Sequence, residues 1–371
     1  MLGRTARPGA WTAIALAVLA AVWVVEGRVF TYGELAPSVS PERDVDLVVY
    51  FRLPKSGSTS WEALLERSCN ASHVEMKRGP IRARRLDGAR AAELALQLAA
   101  GGNAAPLVYS RHFYFVDLAA AAAASVPAGG GALRRWAYTS VVRHPVDRCV
   151  SRYRYSQPEL PAPLRSLSIE ECVERDCLDL PPFARDEDLW RSVAAASSPM
   201  GPPKKPRWSR AGAALSVGGA ADTCRTPECT ALLVRLECHN YMVRWFCGAD
   251  DEICAGHPLG EAALGRALRV VESKFAIIGL TERLEETARL FDLLLPDLFL
   301  AGTGPSSAGG GGGGGVPRLN AGTASLGRPQ AAALGERTKA ALSAQNALDV
   351  RLYDAIVGRF DALVAERLHV Q

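Results

Sequence analysis

Several sequence patterns that mark common protein classes are missing from this 371-residue chain. It has no GxxxxGKS/T motif and no evident strand-end aspartate for Mg²⁺, which disfavours a P-loop kinase or NTPase. None of its nine cysteines forms a CxxC pair and no other ligand set is evident, so we predict no metal site. The net charge is only +4 and no segment is as basic as a nucleic-acid-binding arm, so we expect no nucleic-acid partner.

An uncharged apolar run, residues 9–25, follows two arginines near the start of the sequence. It predicts a single membrane anchor, short enough to suit the thin membranes of the early secretory pathway. A cleaved signal peptide is the alternative, which we disfavour because the run ends in bulky residues rather than a small-x-small site. The preceding positive charge predicts type II topology, with residues 1–8 cytosolic, a stem at residues 26–45 and a lumenal catalytic domain at residues 46–371.

The nine cysteines fit a lumenal, oxidising compartment. Six of them lie five or seven residues apart in pairs, a spacing that suits local disulfides: Cys172 with Cys177, Cys224 with Cys229, and Cys247 with Cys254. The sequence gives no partner for Cys69, Cys149 or Cys238. Asn70 begins an Asn-Ala-Ser sequon, which a lumenal chain can carry as an N-glycosylation site.

A short apolar run, residues 47–51, leads directly into a loop rich in hydroxyls and then into an amphipathic pattern. This order predicts a buried strand, a tight turn and a helix. Backbone N–H groups at the helix start and one ammonium group would meet there, as in a phosphate-binding loop. Considered without the other motifs, this loop fits a plain strand-to-helix turn equally well. Its candidate binding residues are Lys55, Ser56, Gly57, Ser58, Thr59 and Ser60.

Two further predicted strands also end in charged residues. The first, residues 106–110, leads to Arg111 and His112, and the second, residues 136–142, leads to Arg143. Strands that alternate with helices predict an α/β fold with a mostly parallel sheet flanked by helices, whose ligands bind at the carboxyl ends of the strands. Composition predicts flexible insertions at residues 195–222, rich in Ala, Ser, Gly and Pro, and at residues 301–328, which include seven consecutive glycines.

Taken together, these segments resemble the Golgi polysaccharide sulfotransferases, most closely the uronyl 2-O-sulfotransferase group that acts on heparan sulfate or dermatan/chondroitin sulfate. Residues 54–60, PKSGSTS, match the PK(S/T)xSTS loop of these enzymes, and residues 143–153 match their R(D/H)P(V/I)xRxxSxY segment. Residues 110–117, SRHFYFVD, resemble the segment with the catalytic histidine, and residues 278–285 resemble a late strand and helix. The resemblance implies a P-loop-like sulfotransferase fold and a Golgi membrane location.

The resemblance also implies a donor and a role for each motif. The donor is 3′-phosphoadenosine 5′-phosphosulfate, used without a metal; the loop holds its 5′-phosphosulfate, and Arg143 and Ser151 hold its 3′-phosphate. His112 is the expected general base, and Lys55 is expected to neutralise the leaving oxygen. Arg52 either contacts the donor, which we favour, or pairs with a carboxylate. The implied disulfides are Cys172–Cys177 and Cys247–Cys254.

An anionic polysaccharide is the implied acceptor. Four arginines flank the motifs and are our candidates for binding its carboxylate and sulfate groups: Arg111, Arg152, Arg154 and Arg165. A basic run at residues 77–85 either contributes to this site or forms a solvated face. His144, which precedes a proline, is expected to shape a turn rather than react.

Two departures from the group leave alternatives open. Ser110 stands where heparan-type members carry a second histidine, and the polyglycine segment falls near a loop that helps to close over the nucleotide. The nucleotide contacts expected in that loop are Arg318, Asn320 and Thr323. A catalytically silent lumenal polysaccharide-binding protein is therefore the alternative function. The sequence also leaves open which uronic acid is the acceptor and whether the chain forms a homo-oligomer.

Overall fold

The structure is a computed structural model, which describes residues 22–25, 28–31, 45–79, 84–99, 106–125, 134–179, 227–248, 252–255, 258–296 and 330–368. The chain divides into two compact units, residues 1–39 and residues 40–371. The first contains an antiparallel pair of strands, β1 (Val22–Val25) and β2 (Arg28–Thr31).

The predicted membrane anchor, residues 9–25, lies outside the described residues except for β1. Among the residues that the structure describes, no helix combines the length and the apolar composition needed to cross a membrane. Both predicted insertions, residues 195–222 and 301–328, also lie outside the described residues, together with the three predicted nucleotide contacts of the second.

The second unit contains five strands and thirteen α-helices among its described residues. The strands are β3 (Leu47–Phe51), β4 (Glu75–Arg78), β5 (Leu107–Arg111), β6 (Trp136–Val142) and β7 (Phe275–Leu280). The helices are α1 (Ser58–Ala71), α2 (Gly88–Ala99), α3 (Leu118–Ser125), α4 (Pro145–Ser156), α5 (Ala162–Arg165), α6 (Ile169–Glu174), α7 (Pro227–Glu237), α8 (Tyr241–Cys247), α9 (Glu252–Ala255), α10 (Glu261–Lys274), α11 (Leu284–Leu294), α12 (Glu336–Gln345) and α13 (Ala347–Leu368).

The five strands form one parallel sheet in the order β4-β5-β3-β6-β7. The central strand β3 is buried along its whole length, as its continuous apolar sequence predicts for a strand covered on both faces. Phe51 at its end pairs with Arg111 of β5 and with Ser140 of β6. The prediction of a mostly parallel α/β sheet is confirmed, and the three predicted polar segments follow neighbouring strands at the same edge.

An aromatic cluster packs one part of the sheet core close to this edge. The Phe51 ring lies 4.3 Å from the Phe113 ring and 5.4 Å from the Tyr138 ring, measured between centroids. Phe115 and Phe275 complete the cluster, with centroids 5.9 Å apart. Such tilted and edge-on contacts stabilise beyond the area they bury, so the end of β3 and the segment after β5 are held rigidly.

The end of β7 connects the two predicted donor-binding segments. The Thr281 hydroxyl lies 2.9 Å from the Ser56 carbonyl oxygen and 2.8 Å from that of Val142, the last residue of β6. The next residue, Glu282, accepts a hydrogen bond of 2.8 Å from the His144 backbone N–H. A short turn therefore fixes the loop after β3 relative to the segment after β6.

Three disulfides lie among the described residues. Cys172–Cys177 and Cys247–Cys254 are the pairs that the resemblance implied. The third, Cys149–Cys238, joins α4 to the residue after α7, a pairing that the sequence did not predict. Cys69 is a free, buried thiol whose pKa is raised by burial to about 11. The predicted Cys224–Cys229 pair lies outside the described side chains.

Candidate active site

The loop between β3 and α1 has the backbone of an anion-binding turn. Lys55 and Gly57 both have φ of 66°, in the left-handed region, and α1 starts at the next residue, Ser58. Gly57, at the N-cap position, has no side chain that could cap this helix, so the positive end of its dipole and its first N–H groups suit an anion. The Ser56 hydroxyl is buried and no described residue hydrogen-bonds to it. These features fit the predicted phosphate-binding loop.

Lys55 is held against an aromatic ring that the sequence analysis missed. Its ammonium nitrogen lies 3.6 Å from the centroid of the Tyr155 ring, and Tyr155 itself is 65 % exposed. Burial and the charges of Arg152 and Arg143 lower the pKa of Lys55 to about 8, although Glu237 opposes this shift. The sequence did indicate where this ring would lie, because Tyr155 follows the predicted site residue Ser151 by one helical turn in α4.

His112 follows β5, and its ring orientation is set by one backbone contact. Its Nδ1 atom lies 2.6 Å from the carbonyl oxygen of Arg52. Because a carbonyl oxygen only accepts hydrogen bonds, we assign the proton to Nδ1, which leaves the Nε2 lone pair able to take a proton. Burial and the charges of Arg52 and Arg84 lower the pKa of His112 to about 3, so the ring is neutral near pH 7.

Arg52 forms the carboxylate pair that the sequence offered as one of two possibilities, and its donor contact stays a prediction. Its Nη1 atom donates a 2.7 Å hydrogen bond to Oε2 of Glu62, an ion pair between the end of β3 and α1. Ser110, at the position of the second histidine in heparan-type enzymes, donates a 2.6 Å hydrogen bond to Oε1 of the same carboxylate. Arg52 therefore pairs with a carboxylate, and Ser110 is buried in the same network.

Arg143 and Ser151 occupy the third segment, after β6. Arg143 is the first residue past the strand and is buried, which lowers the pKa of its guanidinium while Asp147 and Glu282 oppose the shift. Ser151 lies within α4 and is half-buried. His144 precedes α4 at the N-cap position, with its ring centroid 5.3 Å from that of Tyr353, which fits the predicted turn-shaping role.

A buried carboxylate that the sequence did not single out organises the cations. Glu237, the last residue of α7, lies 2.7 Å from Nη1 of Arg84 and 3.4 Å from Nε of Arg152. Although burial opposes ionisation, the charges of Arg152, Arg84 and Arg148 hold the pKa of Glu237 at about 2. The carboxylate is therefore ionised, and it ties α7 to α4 and to the segment before α2.

The four predicted acceptor arginines have different surroundings. Arg111 is only 1 % exposed, because β5 continues through it and its side chain packs among Tyr109 and Phe113. This burial does not fit an acceptor contact. Arg152 is buried in its pair with Glu237.

The other two lie at the surface. Arg154 is exposed, as is Arg165, whose Nη2 donates a 3.1 Å hydrogen bond to the Leu160 carbonyl oxygen.

Two residues of the basic run at residues 77–85 pair with carboxylates. Lys77 lies 3.3 Å from Glu75, and Arg78 lies 2.6 Å from Glu66, which favours the solvated-face interpretation for these two residues. Asn70 is exposed in the last turn of α1, so its side chain is accessible, and its glycosylation stays a prediction.

The described residues contain no group of three or more His, Cys, Asp or Glu side chains that could hold a metal ion. Arg143 and Arg152 lower the pKa of Lys55 and Glu237 raises it, so cations of two different segments face its ammonium group. Such a grouping of cations suits an anionic ligand.

Comparison with known proteins agrees with this chemistry. Residues 43–174 match the model of the Sulfotransferase family. The matched segment, about a third of the chain, begins just before β3 and includes the phosphate-binding loop, His112, Arg143 and Ser151. No curated protein sequence matches the chain. The family match supports sulfuryl transfer as the reaction, and enzymes of this family generally use 3′-phosphoadenosine 5′-phosphosulfate.

Proposed function

We propose that this protein transfers a sulfuryl group from 3′-phosphoadenosine 5′-phosphosulfate to a hydroxyl of an anionic polysaccharide, with the 2-OH of a hexuronic acid as the acceptor. One observation carries the proposal: His112, whose Nδ1 lies 2.6 Å from the Arg52 carbonyl oxygen, follows the strand next to the one that leads into the phosphate-binding loop. A proton acceptor and an anion site thus share one edge of the sheet.

The residues of this edge suit both ends of the donor. The uncapped start of α1 and the buried Ser56 hydroxyl offer hydrogen-bond donors to the 5′-phosphosulfate. Arg143 and Ser151, after the adjacent strand β6, are the residues that would hold the 3′-phosphate. The donor supplies an activated sulfuryl group, and the protein has only to orient it, accept a proton and stabilise an anion.

In the proposed reaction, Nε2 of His112 accepts the proton of the acceptor hydroxyl as the hydroxyl oxygen bonds to sulfur. The bond between sulfur and the phosphate oxygen breaks, and the Lys55 ammonium stabilises the negative charge left on that oxygen. The products are a sulfate ester, 3′-phosphoadenosine 5′-phosphate and a proton on His112. A positioned base of this kind contributes roughly 10²- to 10⁴-fold.

The acceptor class and the location rest on exposed cations, the sequence resemblance and the disulfides. Arg154 and Arg165 are exposed cations just beyond the donor segment, where they suit the carboxylates of a polysaccharide. The choice of a uronic acid rests on the sequence resemblance. Three disulfides favour the lumen of a secretory compartment, in line with the proposed type II Golgi membrane anchor.

The test is transfer of radiolabelled sulfate by the full-length chain to a panel of desulfated glycosaminoglycans, with His112→Ala alongside. We expect transfer to one polymer, loss of transfer in the variant, and 2-O-sulfated uronic acid in disaccharide digests. Transfer to another position would contradict the proposed acceptor. Binding of polysaccharide without any transfer would instead support the silent-binder alternative and overturn the reaction.

A further inference from the structure

Glu62 is a buried carboxylate that the proposed reaction does not use directly. It lies in the first turns of α1, two residues after the phosphate-binding loop ends. Its two oxygens accept hydrogen bonds from two different strand ends: Oε2 from Arg52, after β3, and Oε1 from Ser110, in β5. One side chain therefore ties the phosphate-binding helix to both strands that lead to the site.

The backbone of Arg52 is held at the same point where it contacts the imidazole. Its N–H donates a 2.9 Å hydrogen bond to the Arg111 carbonyl oxygen, and its own carbonyl oxygen receives the proton on Nδ1 of His112. Because Arg52 follows the strand end, its side-chain contact with Glu62 is a second anchor for this peptide. Loss of that anchor would leave the carbonyl oxygen freer to turn away from Nδ1.

We propose that Glu62 is a positioning residue for His112: by holding the Arg52 guanidinium, it keeps the Arg52 carbonyl oxygen on Nδ1 and so keeps Nε2 as the proton acceptor. Its importance in turnover rests on the proposed function, but its effect on the tautomer does not. Carbonyl or carboxylate partners of this kind commonly fix which nitrogen of a histidine carries the proton.

The charge of Glu62 matters as well as its shape. It faces Arg52 at 2.7 Å and Arg78 at 3.6 Å. Glutamine has the same size but only one acceptor oxygen, and its amide N–H groups would meet either the guanidinium or the Ser110 hydroxyl. In one orientation Glu62→Gln loses the Arg52 contact, and in the other it keeps only a neutral hydrogen bond to the guanidinium while its amide donates to the Ser110 hydroxyl, so the hold on Arg52 weakens without opening a cavity.

The experiment compares Glu62→Gln with Glu66→Gln in the full-length protein. Glu66 is the matched control, because it lies one turn further along α1 and pairs with Arg78, which Glu62 also faces, so it tests the loss of a charge beside Arg78 while the Glu62–Arg52 pair stays in place. Histidine-selective ¹⁵N NMR reports the tautomer, and the His112→Gln variant assigns the resonance. We expect the Nδ1–H tautomer of His112 in the wild type and the control, and a mixture of tautomers in Glu62→Gln.

Kinetics adds a second readout. We expect kcat to fall about tenfold or more in Glu62→Gln, as for partial loss of a general base, while KM for the donor and binding of 3′-phosphoadenosine 5′-phosphate change by less than about twofold. A merely structural role would weaken nucleotide binding together with kcat, since Glu62 belongs to the helix of the phosphate-binding loop.

Each result decides the proposal. An unchanged tautomer in Glu62→Gln, or Nε2–H in the wild type, overturns it. If Glu62→Gln does not fold, Arg52→Lys replaces it, because lysine keeps the charge but lacks the guanidinium whose Nη1 contacts Glu62, and it should show the same mixture. If the wild type transfers no sulfate, the proposed function fails, whereas the tautomer comparison still tests the role of Glu62.

Discussion

The ammonium nitrogen of Lys55 lies 3.6 Å from the centroid of the Tyr155 ring. Lys55 follows β3 and Tyr155 belongs to α4, so the contact joins the two donor-binding segments through a cation and an aromatic face. The ring offers the ammonium a favourable site in the absence of a bound anion. It also favours the charged form of Lys55, in opposition to the burial that lowers its pKa.

Replacement of Tyr155 by leucine should therefore lower the pKa of Lys55 further. An exposed cation–π contact is worth roughly 0.5–1 kcal/mol, which corresponds to about half a pKa unit. The alkaline limb of kcat/KM should move to lower pH by about that amount in Tyr155→Leu. Tyr155→Phe is the control, since it keeps the ring face. If the alkaline limb falls at the same pH in Tyr155→Leu and Tyr155→Phe, the ring does not act on Lys55.

The wild-type pH profile should be asymmetric. The pKa of Lys55 is lowered to about 8, so its ammonium is present below pH 8 and lost above it. We expect kcat/KM for the donor to fall with rising pH from about pH 8. The pKa of His112 is lowered to about 3, so its ring stays neutral down to pH 5 and should cause no acid limb there.

The Lys55→Arg variant tests whether the alkaline limb belongs to Lys55. Arginine keeps its charge across this pH range, so the alkaline limb should disappear from whatever activity the variant retains. An acid limb near pH 6.5 in the wild type would mean that His112 titrates with an ordinary pKa, contrary to its burial beside Arg52 and Arg84. Stopped-time sulfate-transfer assays at several pH values measure both limbs.

Much of the sheet could be predicted because its inner strands are short apolar runs that end in charged residues. β3, β5 and β6 lie close to their predicted bounds. β4 could not be found in this way, since its sequence, Glu-Met-Lys-Arg, is polar and its place at the sheet edge is set by pairing with β5. Its lysine and arginine were interpreted only as a basic run.

The sequence marks candidate site residues where they stand in a motif, and it gives no sign of residues that act through distant contacts. Glu237 meets Arg84 across 153 residues of sequence, and Glu62 meets Ser110 across 48. Neither glutamate stands in a pattern that marks it. Arg111 was chosen because it flanks the motifs, but β5 continues through it and its side chain packs among Tyr109 and Phe113.

Neutralising Glu237 should destabilise the protein strongly. Glu237→Gln removes the negative charge that Arg84 and Arg152 share in a fully buried site. Breaking a buried pair in this way costs about 3–5 kcal/mol. Glu261→Gln is the control, because Glu261 pairs with Arg351 at the surface and such pairs contribute about 1 kcal/mol or less. Urea unfolding at pH 7 measures both changes.

The penalty of Glu237→Gln should shrink in acid. The pKa of Glu237 is held at about 2, below its ordinary value of 4.5, so the carboxylate contributes stability above pH 4.5 and loses it as pH falls towards 2. The difference in unfolding free energy between wild type and variant should therefore be smaller at pH 3 than at pH 7. A difference that stays constant would mean that Glu237 stabilises by shape rather than by charge.

The two disulfides near α4 and α6 should contribute unequally to stability. Cys149–Cys238 closes a loop of 89 residues, whereas Cys172–Cys177 closes one of only 5. In the chain-entropy model these loops correspond to roughly 4–5 and roughly 2 kcal/mol. We therefore expect Cys149→Ala with Cys238→Ala to lower the free energy of unfolding about twice as much as Cys172→Ala with Cys177→Ala, as measured in urea.

Removal of the Cys149–Cys238 disulfide should affect the candidate active site as well as stability. Cys238 follows Glu237 directly, and Cys149 lies one turn before Arg152 and Tyr153 in α4, so the bridge holds the Glu237–Arg152 pair together from both sides. Without it, we expect weaker binding of 3′-phosphoadenosine 5′-phosphate, whereas the variant without Cys172–Cys177 should bind as the wild type does. Isothermal titration at a temperature where both variants are folded makes the comparison. Equal affinities would show that α4 keeps its position without the bridge, so that the packing of Val146 and Val150 in the core alone suffices.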